Sequence, residues 1–387
     1  MRQINHPTAI TSLKWAVRLC LLFILASAIT APRARAVLPP VPSAQTSEPK
    51  LCVHTRLIDE VFEWRILKSL EMAQQMGAAA IVEFFPWAYA EDVAGQFNWQ
   101  RFDLIMRYAR HFNLRVIARL GLVPAWARQT TDRLTTLNTL PEASDAAFAN
   151  FAAQFAARYA SQVEAIIIWN EPNLSFEWGY EPVDPLRYLR LMQVVYPAVK
   201  AAAPSVIVLT GALAPTLERP GSPHGWDDLD YLTILYASGL AEVSDGLAVH
   251  TYGFTSPAQE PPDAATLNFR RVELLRAVME AHDAGEQPIY ITETGWNDHP
   301  RWSLAVSPSR RVRYTLDALD LANTWPWLET LCLWVFRTPA PLNSYPDGFA
   351  LVTSGFDPRP LYLALQARAF GTLKDDELWL PSPRAAQ

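Results

Sequence analysis

Eight short apolar segments rich in β-branched residues alternate with amphipathic helical segments along residues 51–372, and few folds accommodate that pattern. The strand segments are 51–57 (LCVHTRL), 78–85 (AAAIVEFF), 114–121 (LRVIARLG), 163–170 (VEAIIIWN), 205–211 (SVIVLTG), 245–252 (DGLAVHTY), 288–293 (PIYITE) and 329–336 (ETLCLWVF). Helical periodicity follows each, over 59–76, 98–111, 145–159, 184–203, 228–238, 264–283, 307–323 and 360–370. In the first helix Val61, Phe62, Ile66, Leu70 and Ala73 share one face. The strands read as buried on both faces, which places them in a parallel sheet covered by helices. Eight such units predict a closed (β/α)8 TIM barrel of the α/β class, as a single domain over 51–372.

The flanks read differently. Residues 1–36 carry five Lys or Arg and no Asp or Glu, and Leu19–Ala31 is an uncharged apolar run of 13 residues. With Ala34-Arg35-Ala36 as a small-x-small cleavage signal, 1–36 reads as a signal peptide. An uncleaved anchor starting at Trp15 is the alternative, but it must carry Arg18, and the run is short against the about 20 residues of a spanning helix. The protein is expected to be secreted or held in the cell envelope, touching membrane only through an uncleaved leader. Residues 37–50 read as an unstructured linker, and 373–387 as a tail. Without the leader, 28 basic residues face 39 acidic ones, a balance of −11. That excludes a nucleic-acid backbone as partner, which needs a basic face. Cys52 and Cys332 remain beyond the leader. They allow one disulfide in an exported protein, though two buried thiols in strands are the favoured reading.

Two strands end on a glutamate. IIIWNEPNL (166–174) runs from β-branched residues into Asn170, Glu171 and Pro172, and IYITETGW (289–296) places Glu293 just before Gly295. Pro172 should stop the fourth strand. Carboxylates at the C-terminal ends of barrel strands stand where such folds keep their chemistry. Alternation then predicts that Trp169 and Ile167 face inward with Glu171, and Ile291 with Glu293. Strands four and seven are three steps apart around the ring. Spacing of about 4.8 Å and a tilt of about 36° give a radius of roughly 7.5 Å, hence Cα positions about 14 Å apart. Glutamates reaching about 4 Å inward bring the carboxyl groups to the order of 6 Å. Retaining glycosidases use about 5–5.5 Å and inverting ones about 6.5–9.5 Å, so the spacing leans to retention.

WNEPN on strand four, HTY (250–252) on strand six, TETGW (292–296) on strand seven and Trp334 on strand eight resemble the clan A glycoside hydrolases, of the family 39 and family 5 type. The loop from Phe85-Pro86-Trp87 through Gly95-Gln96-Phe97-Asn98-Trp99 to Asp103 and the ending Arg359-Pro360-Leu361-Tyr362-Leu363-Ala364-Leu365 are similar to that clan too. The resemblance implies a retaining glycosidase acting by double displacement, with Glu171 as acid/base and Glu293 as nucleophile. It implies that Asn170 bonds the sugar 2-hydroxyl, that Tyr252 bonds the nucleophile, and that Trp334 is a platform under a sugar ring. The plainer readings are rim ion pairs for the glutamates, a turn cap for Asn170, and core packing for Tyr252 and Trp334. His250 is either a satisfied core histidine or a site residue. Arg119 would bond a sugar hydroxyl or steady Glu293, and Glu83 would form a salt bridge with Arg119. Trp87, Trp126, Trp178 and Trp296 follow strands and are candidates for outer subsites.

No GxSxG, HExxH, Walker or GxGxxG motif occurs, and the seven His are scattered, so neither metal nor cofactor is expected. The expected partner is an oligosaccharide or polysaccharide, bound by a monomer. A barrel that binds carbohydrate without cleaving it, or a transglycosylase with the same site, are the alternatives. Sugar, linkage and endo or exo action depend on the Pro-rich stretches 214–228 and 253–264.

Overall fold

The computed structural model describes residues 15, 17, 18, 38, 45–128, 135–339, 341 and 343–371. The chain divides into two units, Met1–Val41 and Pro42–Gln387. In the first, the Arg18 guanidinium lies 5.7 Å from the centre of the Trp15 ring. The rest of the expected leader, its cleavage signal and the expected tail lie outside the described residues. No helix among the described residues is long and apolar enough to cross a membrane.

The second unit holds eight strands among its described residues. They are β1 (Leu51–His54), β2 (Ala80–Pro86), β3 (Arg115–Gly121), β4 (Val163–Ile168), β5 (Ile207–Leu209), β6 (Leu247–Tyr252), β7 (Ile289–Gly295) and β8 (Leu328–Leu333). The helices between and after them are α1 (Glu63–Gln75), α2 (Gln100–His111), α3 (Asp145–Tyr159), α4 (Pro185–Ala202), α5 (Asp228–Ala237), α6 (Arg271–Ala281), α7 (Pro308–Thr324) and α8 (Pro360–Ala369). The strands run in the order β5-β4-β3-β2-β1-β8-β7-β6. Parallel bridges Leu209↔Gly246 and Leu213↔Val249 join β5 to β6 and close the ring. This is the (β/α)8 barrel that the alternation predicts. Its interior is a buried cluster to which every strand contributes: Cys52, Ala80, Val82, Ile117, Ala165, Ile167, Leu209, Ala248, Tyr290 and Cys332. Small and medium side chains fill the ring, as a packed barrel requires.

Four expectations need correction. Helix α1 starts at Glu63, not at 59, because residues 57–59 form a separate 3₁₀ turn. The buried Glu83 carboxylate takes the amides of Leu57 (2.9 Å) and Ile58 (3.1 Å) and ties that turn to β2. Val61 and Phe62, expected on the buried face, are 83% and 55% exposed. Helix α6 starts at Arg271 rather than 264, where the buried guanidinium pairs with Asp228 (2.8 Å). The expected linker, 37–50, is not unstructured at its described end. Ser47 donates its amide to Ala369 (3.0 Å), Glu48 pairs with Arg368 (2.8 Å), and Lys50 bonds the carbonyls of Ala322 and Trp325.

The fourth correction concerns the cysteines, which are bonded to each other. Register decides it: β1 and β8 lie side by side with Cys52 opposite Cys332, at a Cα separation of 4.1 Å. The bridge joins the first strand to the last across 280 residues. A cross-link that closes so long a loop restricts the unfolded chain strongly. Replacing both cysteines by alanine is expected to lower unfolding free energy by about 2–5 kcal/mol, read from a denaturant titration. A variant as stable as the parent would show that the bridge contributes nothing.

Candidate active site

The interior cluster sets the phase of each strand. With Cys52, Ile117, Ala248 and Cys332 inward, alternation aims His54, Arg119, His250, Tyr252 and Trp334 into the C-terminal mouth. Glu293 does not follow that rule, and Glu171 keeps the parity of Ile167 only beyond the end of its strand. In β7 the inward residue is Tyr290, not Ile291, so simple alternation would turn Glu293 away. The pairing skips a residue instead: Val249 opposes Ile291 and His250 opposes Glu293, leaving Thr292 extra. Such a bulge re-aims the following side chain, and Glu293 faces the mouth. In β4 the strand ends at Ile168 rather than at Pro172. Trp169 (φ 79°) and Glu171 (φ 40°) both take left-handed backbone. Trp169, expected inward, lines the cavity at the mouth and also packs edge-on against Phe148 of α3 and against Trp178. The end of β4 also meets Gly211 so closely that a Cβ there would lie 2.7 Å from the Ile168 carbonyl.

These side chains form one network. Arg119 Nη1 donates to Glu293 Oε1 (2.9 Å) and to Asn170 Oδ1 (2.7 Å). The Tyr252 hydroxyl donates to Glu293 Oε2 at 2.8 Å. His250 Nδ1 lies 2.7 Å from Glu171 Oε1 and 3.7 Å from Glu293 Oε2. His54 Nε2 stands 3.5 Å from Glu293 Oε1. Oxygens of the two carboxylates and the His250 nitrogen all fall within 4.8 Å of one another. Burial pushes the Glu293 carboxyl up, but His250, His54 and Arg119, with the Tyr252 hydroxyl, outweigh it and hold it down at about 2. Burial, then the Arg119 charge, lowers His54 to about 3, so its imidazole is neutral at working pH. Glu171, His250 and Glu293 are also near enough together to hold a cation. The Arg119 guanidinium already occupies one face of Glu293, which disfavours a second positive charge there.

A cavity of about 250 Å³ opens beside the pair. His54, Arg119, Asn170, Trp334 and Glu177 are among its walls. Trp334, partly exposed and edge-on to His54 at 4.6 Å, can offer a ring face to a ligand. The other tryptophans are placed differently. Trp87 is fully buried against Trp126, Phe148 and Phe151. Trp296 is buried against Gly253, where even a methyl group would collide with its ring. Trp178 packs on Trp169 and Tyr188. Partly exposed Trp126 bonds the Glu91 carbonyl (2.9 Å) and lies outside this cavity's walls. Trp87, Trp178 and Trp296 thus bury their indoles in the packed shell of the protein, whereas Trp126 stays partly exposed. The expected Glu83–Arg119 salt bridge is also absent, since Glu83 is spent on Thr55 (2.6 Å) and the turn amides.

Sequence reasoning missed two residues. His54 was legible, because Cys52 facing inward implies His54 inward. Glu177 sits in a loop with no period to read, eight residues past the Trp169 that holds its carbonyl (2.8 Å).

No protein-family profile matches the chain, and no curated protein matches it in sequence. Solved structures do resemble it. A family 39 glycoside hydrolase from Bacteroides cellulosilyticus WH2 superposes with a TM-score of 0.67 at 20% identity, covering 86% of this chain and 66% of that one. The GH39 enzyme from Xanthomonas axonopodis pv. citri gives 0.60 at 19%, covering 87% and 71%. A monomeric beta-xylosidase from Caulobacter crescentus CB15 gives 0.59 at 20%, covering 84% and 68%. The chain thus spans about two thirds of the length of these proteins, and at such identity the likeness is one of fold.

Proposed function

We propose that this chain is a retaining glycoside hydrolase. The observation that carries the reading is the pair of glutamates from β4 and β7, brought within 4.8 Å while Arg119 and Tyr252 both bond only the second of them. So close an oxygen approach leaves little room for the water that inverting enzymes hold between carboxyl groups about 6.5–9.5 Å apart, and leans to the about 5–5.5 Å of retaining ones. An ionised Glu293 attacks the anomeric carbon, and the glycosidic bond breaks as Glu171 gives its proton to the departing oxygen. The glycosyl ester on Glu293 is then opened by water, whose proton returns to Glu171. Asn170, held by Arg119, is placed to bond the 2-hydroxyl of the ring, and Trp334 to stack under it. The cavity is smaller than the about 300–1,000 Å³ of pockets for drug-sized ligands. It suits one sugar ring, which favours removal of terminal residues. The Caulobacter likeness makes an aryl β-xyloside the first substrate to try. The leader pattern and the Cys52–Cys332 bridge both support export to an oxidising compartment.

The test is a panel of aryl glycosides, with the anomer first released identified by proton NMR. The α-anomer from a β-glycoside, or no cleavage of any panel member, would sink the proposal. The hydroxyl of Tyr252 bears on the same point. Tyr252→Phe removes a donor to the charged form of Glu293, so the Glu293 carboxyl titrates higher. The acid limb of the kcat/KM profile should move to higher pH, with a loss of roughly 10–100-fold near neutrality. An unmoved acid limb would show that the hydroxyl does not tune Glu293.

A further inference from the structure

One carboxylate on the cavity wall has no part in this mechanism. Glu177 lies in the loop after β4, and that loop is built rather than loose. Trp169 Nε1 donates to its carbonyl (2.8 Å). Asn138 Nδ2 bonds both the Phe176 carbonyl (3.2 Å) and Glu177 Oε2 (3.3 Å). Gly179 (φ 68°) packs so tightly that a Cβ would lie 2.7 Å from the Thr139 backbone. The loop therefore holds Glu177 against the segment around Thr139 and directs it to the cavity.

The charges around the cavity decide what it can admit. Arg119 is committed to Glu293 and Asn170. Arg56 is paired with Asp59 at 2.7 Å. Among the described residues that line the cavity, no further arginine or lysine occurs, and His54 is neutral. Among the described residues, the side-chain hydrogen bonds of Glu177 come from the amides of Asn138 and Asn170. Glu171 and Glu293 act on it from the side of the catalytic pair, opposed by Arg119. Burial first, then the Glu171 charge, raises its carboxyl to about 7.

We propose that Glu177 selects the sugar ring by charge: it receives hydroxyl groups of a neutral glycone and turns away one that carries its own carboxylate. A carboxylate accepts hydroxyl protons strongly, whereas an anion set against it meets, among the described residues, no wall arginine or lysine that is not already paired with a carboxylate. The inference rests on the glycosidase reading for its substrate class, but glycone binding can be measured without turnover. Because the Glu177 proton leaves near neutrality, discrimination against acidic sugars should sharpen as pH rises through about 7.

Ligand-observed NMR on the full chain and on Glu177→Gln, at pH 5.5 and 8.5, is the experiment. The ligands are xylose, glucose, mannose and galactose, with glucuronate, mannuronate and galacturonate. The parent should bind its preferred neutral sugar over the matching uronate by at least about tenfold at pH 8.5, and less at pH 5.5. In Glu177→Gln the neutral sugar should bind about tenfold more weakly, with a ratio that no longer depends on pH. Folding is checked by thermal melts, which carry a sign of their own. A carboxyl raised in the fold favours folding below its ordinary range and loses that advantage as pH rises through about 7. Glu177→Gln should therefore gain on the parent between pH 5.5 and pH 8.5, the reverse of losing a purely structural group. Equal ratios with equal pH dependence in both chains would overturn the proposal, as would a parent that binds none of the sugars. Glu177-dependent selection without cleavage of any aryl glycoside would instead overturn the hydrolase reading alone.

Discussion

Glu293→Gln is expected to lower kcat on every glycoside by roughly 10⁴-fold or more, the scale seen when an enzyme loses its nucleophile. The substitution keeps the shape of the side chain and removes the charge. Both of its oxygens are now bonded, by Arg119 at 2.9 Å and Tyr252 at 2.8 Å. The neutral amide keeps one acceptor but cannot form the glycosyl ester, so loss should fall on kcat while the fold stands. The charge also bears on acid stability. Its partners hold the folded Glu293 carboxyl down at about 2. The stabilisation they give is complete above the ordinary carboxylate range, declines below it and is gone once pH has fallen through about 2. In Glu293→Gln that acid-dependent component should be missing, which urea titrations at pH 3 and 7 would read. Retention of near-parental turnover would remove Glu293 from the mechanism.

Glu171→Ala should divide substrates by leaving group. Where the departing oxygen needs a proton, as in a disaccharide, kcat/KM is expected to fall roughly 10²–10⁴-fold. A dinitrophenyl glycoside leaves without that proton, so its first step should be nearly spared and the ester on Glu293 should accumulate. Added azide attacks that ester without a base, restoring turnover and yielding a glycosyl azide of retained configuration. His250, 2.7 Å from the Glu171 carboxylate, would be left without that partner, so the melt should be checked alongside. An equal loss on all leaving groups, with no azide product, would defeat the acid/base assignment.

Much of the mouth could be read in advance because strand geometry is local. Once Cys52, Ile117, Ala248 and Cys332 face the ring, His54, Arg119, His250, Tyr252 and Trp334 must face its mouth, two or four residues further on. The tryptophans show the limit of that reasoning. Trp87 and Trp296 follow strands as a subsite residue would, yet Phe148, Phe151 and Gly253 receive them from distant parts of the chain. Nothing near Trp87 or Trp296 in order announces those partners.

The order of apolar runs and helical periods, by itself, determined a ring of eight parallel strands and the end at which its polar groups gather. How both glutamates are held was decided only in three dimensions. Glu171 turns inward on left-handed backbone, and Glu293 on an extra residue in β7. In a regular β7 the Glu293 carboxylate would point elsewhere, whereas Glu171 keeps the inward parity of Ile167 although its strand ends at Ile168. A bulge and a positive φ are held in place by neighbouring strands, which contact the segment from far along the chain. The Cys52–Cys332 bond and the placing of Glu177 belong to the same class, for each depends on which segments meet rather than on the period of any one of them.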